Sequence, residues 1–119
     1  MKITTQTQYL PEHCDPENNR FVFSYTISIT NTGDTSVQLK SRYWHIEDSN
    51  AQIQEVKGEG VIGEQPHIAP GETFEYTSGT VLPTRFATMQ GHYTMQKNDG
   101  STFDAPIAPF VLAPPGALH

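Results

Sequence analysis

Between positions 21 and 29 the chain alternates without a break. Phe21, Phe23, Tyr25, Ile27 and Ile29 fall on one side, and Val22, Ser24, Thr26 and Ser28 on the other. A helix cannot use this pattern, because its neighbours recur every 3.6 residues; a strand with one face in a core can. The flanks agree: Arg20 precedes the run and Asn31-Thr32-Gly33-Asp34 is turn chemistry after it. A central strand of this kind commits the chain to a sheet whose buried face needs a second layer. Composition supports the same class. Thr, Val and Ile total 28 residues against 12 for Ala and Leu, a bias toward β-branched side chains that pack on pleated surfaces.

Shorter alternations surround this one. Ile3, Thr5, Thr7 and Tyr9 share a face of a half-buried edge strand, and residues 10 to 19, rich in Pro, Asn and acids, read as a loop. Val37 to Ile46 and Gln52 to Lys57 read as two strands joined at Asp48-Ser49-Asn50, although Leu39, Tyr43 and Ile46 would also align on a helix. Gly58 to Gly71 reads as a long irregular connection that ends in the turn Pro70-Gly71. Phe74, Tyr76 and Ser78 begin a strand that Leu82-Pro83-Thr84-Arg85 breaks, and Met89, Gly91, Tyr93 and Met95 mark another. Asn98-Asp99-Gly100 is a hairpin turn. Thr102 to Ile107 and Pro109 to Leu112 are expected as two short edge strands that proline interrupts. The expected fold is all-β, an antiparallel β-sandwich of immunoglobulin-like or fibronectin type III-like form. It occupies one domain, residues 1–112, with 113–119 as a C-terminal extension.

Charge narrows the function classes. Seven Lys and Arg stand against 13 Asp and Glu, a net charge of -6, and no basic face for nucleic acid is evident. No apolar run is long enough for a membrane helix. Cys14 is the one cysteine, so no internal disulfide can form, and no apolar signal-peptide core follows Met1-Lys2-Ile3. These features lead to the expectation of a cytoplasmic protein.

Four groups of residues could carry chemistry. Gly58-Glu59-Gly60-Val61-Ile62-Gly63 matches G-x-G-x-x-G, the pattern that lets a backbone approach pyrophosphate where a helix begins. Pro66 leaves almost no room for that helix, so a bent, glycine-rich hairpin between strands is the stronger reading. His13, His45, His67, His92 and His119 lack paired metal-ligand spacing, and no metal or cofactor is expected. Cys14 sits among Glu12, Asp15 and Glu17, charges that disfavour thiolate, and there is no G-x-S-x-G elbow; no catalytic residue is expected. Finally, Arg42 and Trp44 share one strand face and Tyr43 and His45 the other. Trp44 reads first as a core anchor and second, with Arg42, as an exposed interface pair.

Several segments together resemble the bacterial ApaG family, also called CorD, over nearly the whole chain. They are Val37-Gln-Leu39, Arg42-Tyr-Trp44, Val56 to Gly63, Gln65-Pro66, Ile68 to Glu72, Phe74 to Gly79 and Met89-Gln-Gly-His-Tyr93. The resemblance implies a fibronectin type III-like sandwich and a genetic link to cobalt resistance and magnesium efflux. It also implies binding of protein partners and supplies no catalytic residues. The expected function is therefore that of a non-enzymatic binding module, with a protein or a second copy of the chain as partner. The alternative is a binder of phosphate, pyrophosphate or nucleotide on the Gly58–Gly63 loop, with Arg42 or His92 supplying charge. The candidate contact residues are Arg42, Trp44, Gly58, Glu59, Gly60, Gly63 and His92.

Overall fold

A computed structural model describes residues 1–116. Two antiparallel sheets face one another. The three-stranded sheet has the order β1 (Lys2–Tyr9), β2 (Phe21–Thr30), β6 (Thr73–Leu82). The five-stranded sheet has the order β4 (Ile53–Glu59), β3 (Val37–Asp48), β7 (Ala87–Lys97), β8 (Thr102–Leu112), with the two-residue β5 (His67–Ile68) paired to the start of β3. The chain is an antiparallel β-sandwich of the immunoglobulin-like and fibronectin type III-like kind.

The alternation in β2 does what its period requires. Phe21, Phe23, Tyr25, Ile27 and Ile29 are all buried. Tyr76 and Phe74 of β6 lie opposite Ile27 and Ile29 in the same sheet, so they extend that apolar face sideways. Met89, Tyr93 and Met95 of β7 close the core from the other sheet, each fully buried. The tyrosines Tyr76 and Tyr93 join the layers through their hydroxyls, 2.5 Å apart, which satisfies two polar groups that burial would otherwise penalise.

Turn chemistry sets the connections. Asp48 accepts Asn50 and Gln52 amides on Oδ1 at 2.8 and 3.1 Å, and Asp99 accepts the Ser101 amide at 2.9 Å. Residues 10–19 contain two short 3₁₀ turns, Pro11–His13 and Pro16–Asn18. Half-buried Cys14 fastens them, accepting the Val22 amide at 3.2 Å and donating to Leu10 O at 3.2 Å.

Three expectations need correction. The two strands expected after position 101 are one, β8, because a register shift opposite Met89 and Gly91 absorbs Pro109. At a sheet edge a missing N–H need not break a ladder. The connection from Gly58 to Gly71 is not wholly irregular: it contains β5 and a tight turn. β3 runs to Asp48 and carries a bulge at Lys40, between Leu39 and Ser41, which the alternation of its sequence did not reveal. Of the extension expected at 113–119, residues 117–119 lie outside the described residues.

Candidate functional site

The bulge at Lys40 organises the residues singled out in the sequence. It turns the Lys40 carbonyl toward the glycine segment, where it accepts the Gly60 amide at 2.8 Å and the Gln65 side-chain amide at 2.8 Å. Beyond the bulge Arg42, Trp44 and Ile46 point inward, while Ser41, Tyr43 and His45 point to solvent.

Trp44 is 2% exposed and packs edge-on against Tyr25, Tyr93 and Phe110, with ring centroids 5.5, 6.2 and 5.8 Å away. It is a core anchor. The exposed Arg42–Trp44 pair is thus not formed, because the inner face that carries both residues is covered by the three-stranded sheet. Arg42 shares that face but lies nearer its margin. Its guanidinium crosses Gly58, its partner on β4, at a height where a Cβ on Gly58 would fall 2.7 Å from Nη1. From there Nη1 donates to the carbonyls of Glu59 at 3.2 Å and Gly60 at 3.0 Å. Gly58 leaves the space that the Arg42 guanidinium occupies, and Arg42 pins the end of β4.

The glycine motif then closes on itself. Val61 and Glu64 exchange both main-chain hydrogen bonds at 2.8 and 2.9 Å, and Ile62 and Gly63 between them have φ of 44° and 79°. Positive φ at both central positions is the pattern of a type I′ turn. Gly60 has φ of 63°, and a Cβ there would overlap the Glu64 carbonyl. The segment therefore joins strand to strand with no helix after it, as the position of Pro66 required. It also uses the amides of Gly60, Val61 and Glu64 internally, so they do not form the outward-facing cradle that a pyrophosphate needs. Ile62 is the feature of this segment that the sequence did not announce. It is β-branched, left-handed and 56% exposed, a costly conformation for such a side chain.

Four of the seven candidates meet around the β3–β4 pair of the five-stranded sheet, Arg42 and Gly58 from its inner-face positions and Glu59 and His92 from its outer-face ones. Arg42, Gly58, Glu59 and His92 line an open cleft of about 630 Å³ together with Ser41, Tyr43, Glu55 and Lys57. Its floor is a stacked pair: Tyr43 and His92 sit opposite one another on β3 and β7, ring centroids 5.2 Å apart at 28°. Lys57 Nζ stands 5.7 Å from the Tyr43 ring centre, within cation–π range. The Tyr43 hydroxyl donates to Glu55 at 2.8 Å; that bond, then burial and the charge of Glu55, hold it above the usual tyrosine value of 10.0. Asp104 Oδ2 lies 3.9 Å from His92 Nε2. Trp44 is beneath this face and Gly60 and Gly63 are beside it, so they are not part of the cleft. Tyr43, Lys57 and Glu55 were missed. The period-two reading of β3 had already put Tyr43 opposite Trp44, and that was the signal that could have found it. Among the described residues no group of three or more His, Cys, Asp or Glu is placed to hold a metal ion. No helix among them is long and apolar enough to cross a membrane.

Comparison with known proteins decides the family. The model of the ApaG domain matches residues 11–97. The chain belongs to the ApaG family. The chain is 55% identical to the protein ApaG of Pseudomonas paraeruginosa over 119 residues, covering 100% of this chain and 94% of that one. The protein ApaG of Pseudomonas putida is 52% identical over 117 residues, 98% and 93% of the two chains. The crystal structure of a Bordetella pertussis protein solved under the name ApaA superposes with a TM-score of 0.93 at 49% identity, over 97% of this chain and 94% of that one. The likeness to these relatives spans both sheets, whereas the family model itself covers β2 to β7.

Proposed function

We propose that the chain is a non-enzymatic binding module that recognises protein partners through the outer face of its five-stranded sheet. One observation carries this reading: the half-buried Tyr43–His92 stack, flanked by Lys57 and Glu55, on a sheet face over which no further layer of the described residues packs. A rigid aromatic floor with charges at its rim is the composition that dominates protein interfaces, where Tyr and Arg are enriched among the residues that matter most. The mixed charge of the cleft favours a polypeptide over a polyanion, and the net charge of -6 opposes nucleic acid and free nucleotide. On this reading the module acts in the cytoplasm. Its connection with cobalt resistance and magnesium efflux, implied by the family, runs through its partner and not through a bound cation.

Capture from lysate compares three proteins: the parent chain, a Tyr43→Ala/His92→Ala variant, and a Thr26→Ala/Thr77→Ala variant altered on the opposite outer face. The binding reading expects a saturable partner, retained by the threonine variant and lost by the aromatic one. Equal retention by both variants, or loss by the threonine variant alone, sinks it. Saturable binding of pyrophosphate or diadenosine tetraphosphate, abolished by Gly60→Val and indifferent to Tyr43, would replace it with the nucleotide reading.

A further inference from the structure

We propose that β4 is a self-pairing edge: two copies of the chain join antiparallel through Ile53–Glu59 about a twofold axis at Val56, making one continuous sheet from two. The inference shares Glu55 and Lys57 with the binding reading but stands on the margin of the sheet and not on the aromatic floor, and its test reads self-association alone.

Among the described residues the strand β4 is hydrogen-bonded on one side only, to β3. Which of its residues face the open side follows from the bonds at its two ends. The Gly60 amide donates to Lys40 O, and the Asp48 amide donates to Gln52 O. The β3–β4 register is unbroken between them. Main-chain groups alternate strictly along an antiparallel strand, so Gln54, Val56 and Gly58 turn theirs toward β3. Ile53, Glu55, Lys57 and Glu59 turn theirs outward. An added antiparallel strand must pair outward residue with outward residue. For two copies of β4 this leaves only registers whose twofold axis passes through a residue.

Charge selects among them. An axis at Glu55 sets Glu55 against itself; an axis at Lys57 sets Lys57 against itself and Glu55 against Glu59. An axis at Gln54 or Gly58 uses one end of the strand and runs the other past it, and past Glu59 the strand is ended by Arg42 on its carbonyl and by left-handed Gly60. An axis at Val56 pairs Glu55 with Lys57 of the second copy and Lys57 with its Glu55. Those residues point outward, so each such pair exchanges both main-chain hydrogen bonds, and their side chains share the solvent face. Val56 meets Val56 on the inner face. A lysine in mid-edge ordinarily discourages strand addition; here Glu55, two residues away on the same face, supplies its counter-charge in this one register. The two Tyr43 clefts, each bordered by its own Glu55 and Lys57, then abut across the axis.

A single strand pair is at the small end of stable interfaces, which begin at roughly 1,200 Å² of total burial, so the dimer is expected to be concentration-dependent. Sedimentation over micromolar to millimolar protein should show it. Glu55→Lys and Lys57→Glu should each weaken it about tenfold or more, because each creates like-charge pairs at both symmetric positions; the double exchange E55K/K57E should recover it. Register is read independently by cross-linking. Opposed residues of a non-hydrogen-bonded pair lie about 4.5 Å apart, inside disulfide reach, so Val56→Cys should form a covalent dimer under mild oxidation. Gln54→Cys, paired with Gly58 of the second copy and not with itself, should not, and the parent chain with Cys14 alone sets the background. A monomer at every concentration, a double exchange no better than the single changes, or equal cross-linking at positions 54 and 56 overturns the proposal. Sequestration of β4 by a strand of another protein would appear as the first of these outcomes.

Discussion

The two outer faces of the sandwich are built from the same pleat and have opposite characters. On the three-stranded sheet, Thr26 and Thr77, Thr30 and Thr73, and Ser28 and Glu75 bond to one another across β2 and β6 at 2.8, 2.7 and 2.8 Å. Those hydroxyls spend their hydrogen bonds within the face. On the five-stranded sheet, Tyr43, His92, Lys57, Glu55 and Asp104 present rings and charges of both signs around an open cleft. A face that satisfies itself has little to offer a partner, whereas partly exposed rings gain from being covered and the charges beside them can be matched by a partner of complementary charge. The difference also reaches the backbone. The five-stranded sheet has a glycine that its packing requires, and the other sheet has one that it merely tolerates.

That last contrast gives the largest expected effect. A Cβ on Gly91 of β7 would overlap the Tyr43 carbonyl, while a Cβ on Gly79 of β6 would find Phe23 O at an ordinary 3.4 Å. Gly91→Ala should cost about 3 kcal/mol or more, from overpacking against backbone that cannot yield. Gly79→Ala should cost under about 1 kcal/mol. Urea melts of the pair check this, and similar midpoints for the two variants would break the comparison at its base.

An intermediate effect is expected where the layers touch. Burial pushes the hydroxyls of Tyr76 and Tyr93 well above the ordinary tyrosine value of 10.0. A raised folded pKa means that the stability tied to the protonated form is complete below 10.0 and is lost as pH rises above it, when the unfolded chain ionises first. Tyr76→Phe leaves the Tyr93 hydroxyl without its partner and should cost about 1–3 kcal/mol at neutral pH. Replacing both tyrosines by Phe should recover part of that, because no polar group is then stranded. Alkaline melts from pH 9 upward should become shallower in the double variant; an unchanged slope would show that the pair does not sense the layer contact.

The smallest effect belongs to the hydroxyl face. Thr26→Ala removes one cross-strand hydroxyl bond in exposed surroundings and should cost under about 1 kcal/mol. A larger loss would mean that this face is structural in a way its exposure conceals.

Much of this was legible in the residues. The five inward positions of β2, the hairpins at Asp48 and Asp99, and the absence of a helix after Gly63 followed from alternation, turn chemistry and one proline. Those signals are local: each needs only a few neighbouring residues to act. The bulge at Lys40 was not legible, since a one-residue insertion depends on the partner strand that it opposes. Nor was the single β8, where the bulge that accommodates Pro109 depends on β7.

At the candidate site the division is the same. Sequence alone determined that Trp44 and Arg42 share one face of a strand and that Tyr43 lies on the other, because the side-chain period of a strand is two. Only the tertiary structure decided which face is covered, and so made Trp44 an anchor and Tyr43 a floor. It also brought His92 beside Tyr43 from 49 positions away and laid Arg42 over Gly58, because strand order and register are set by the packing of whole layers and not by any segment within them.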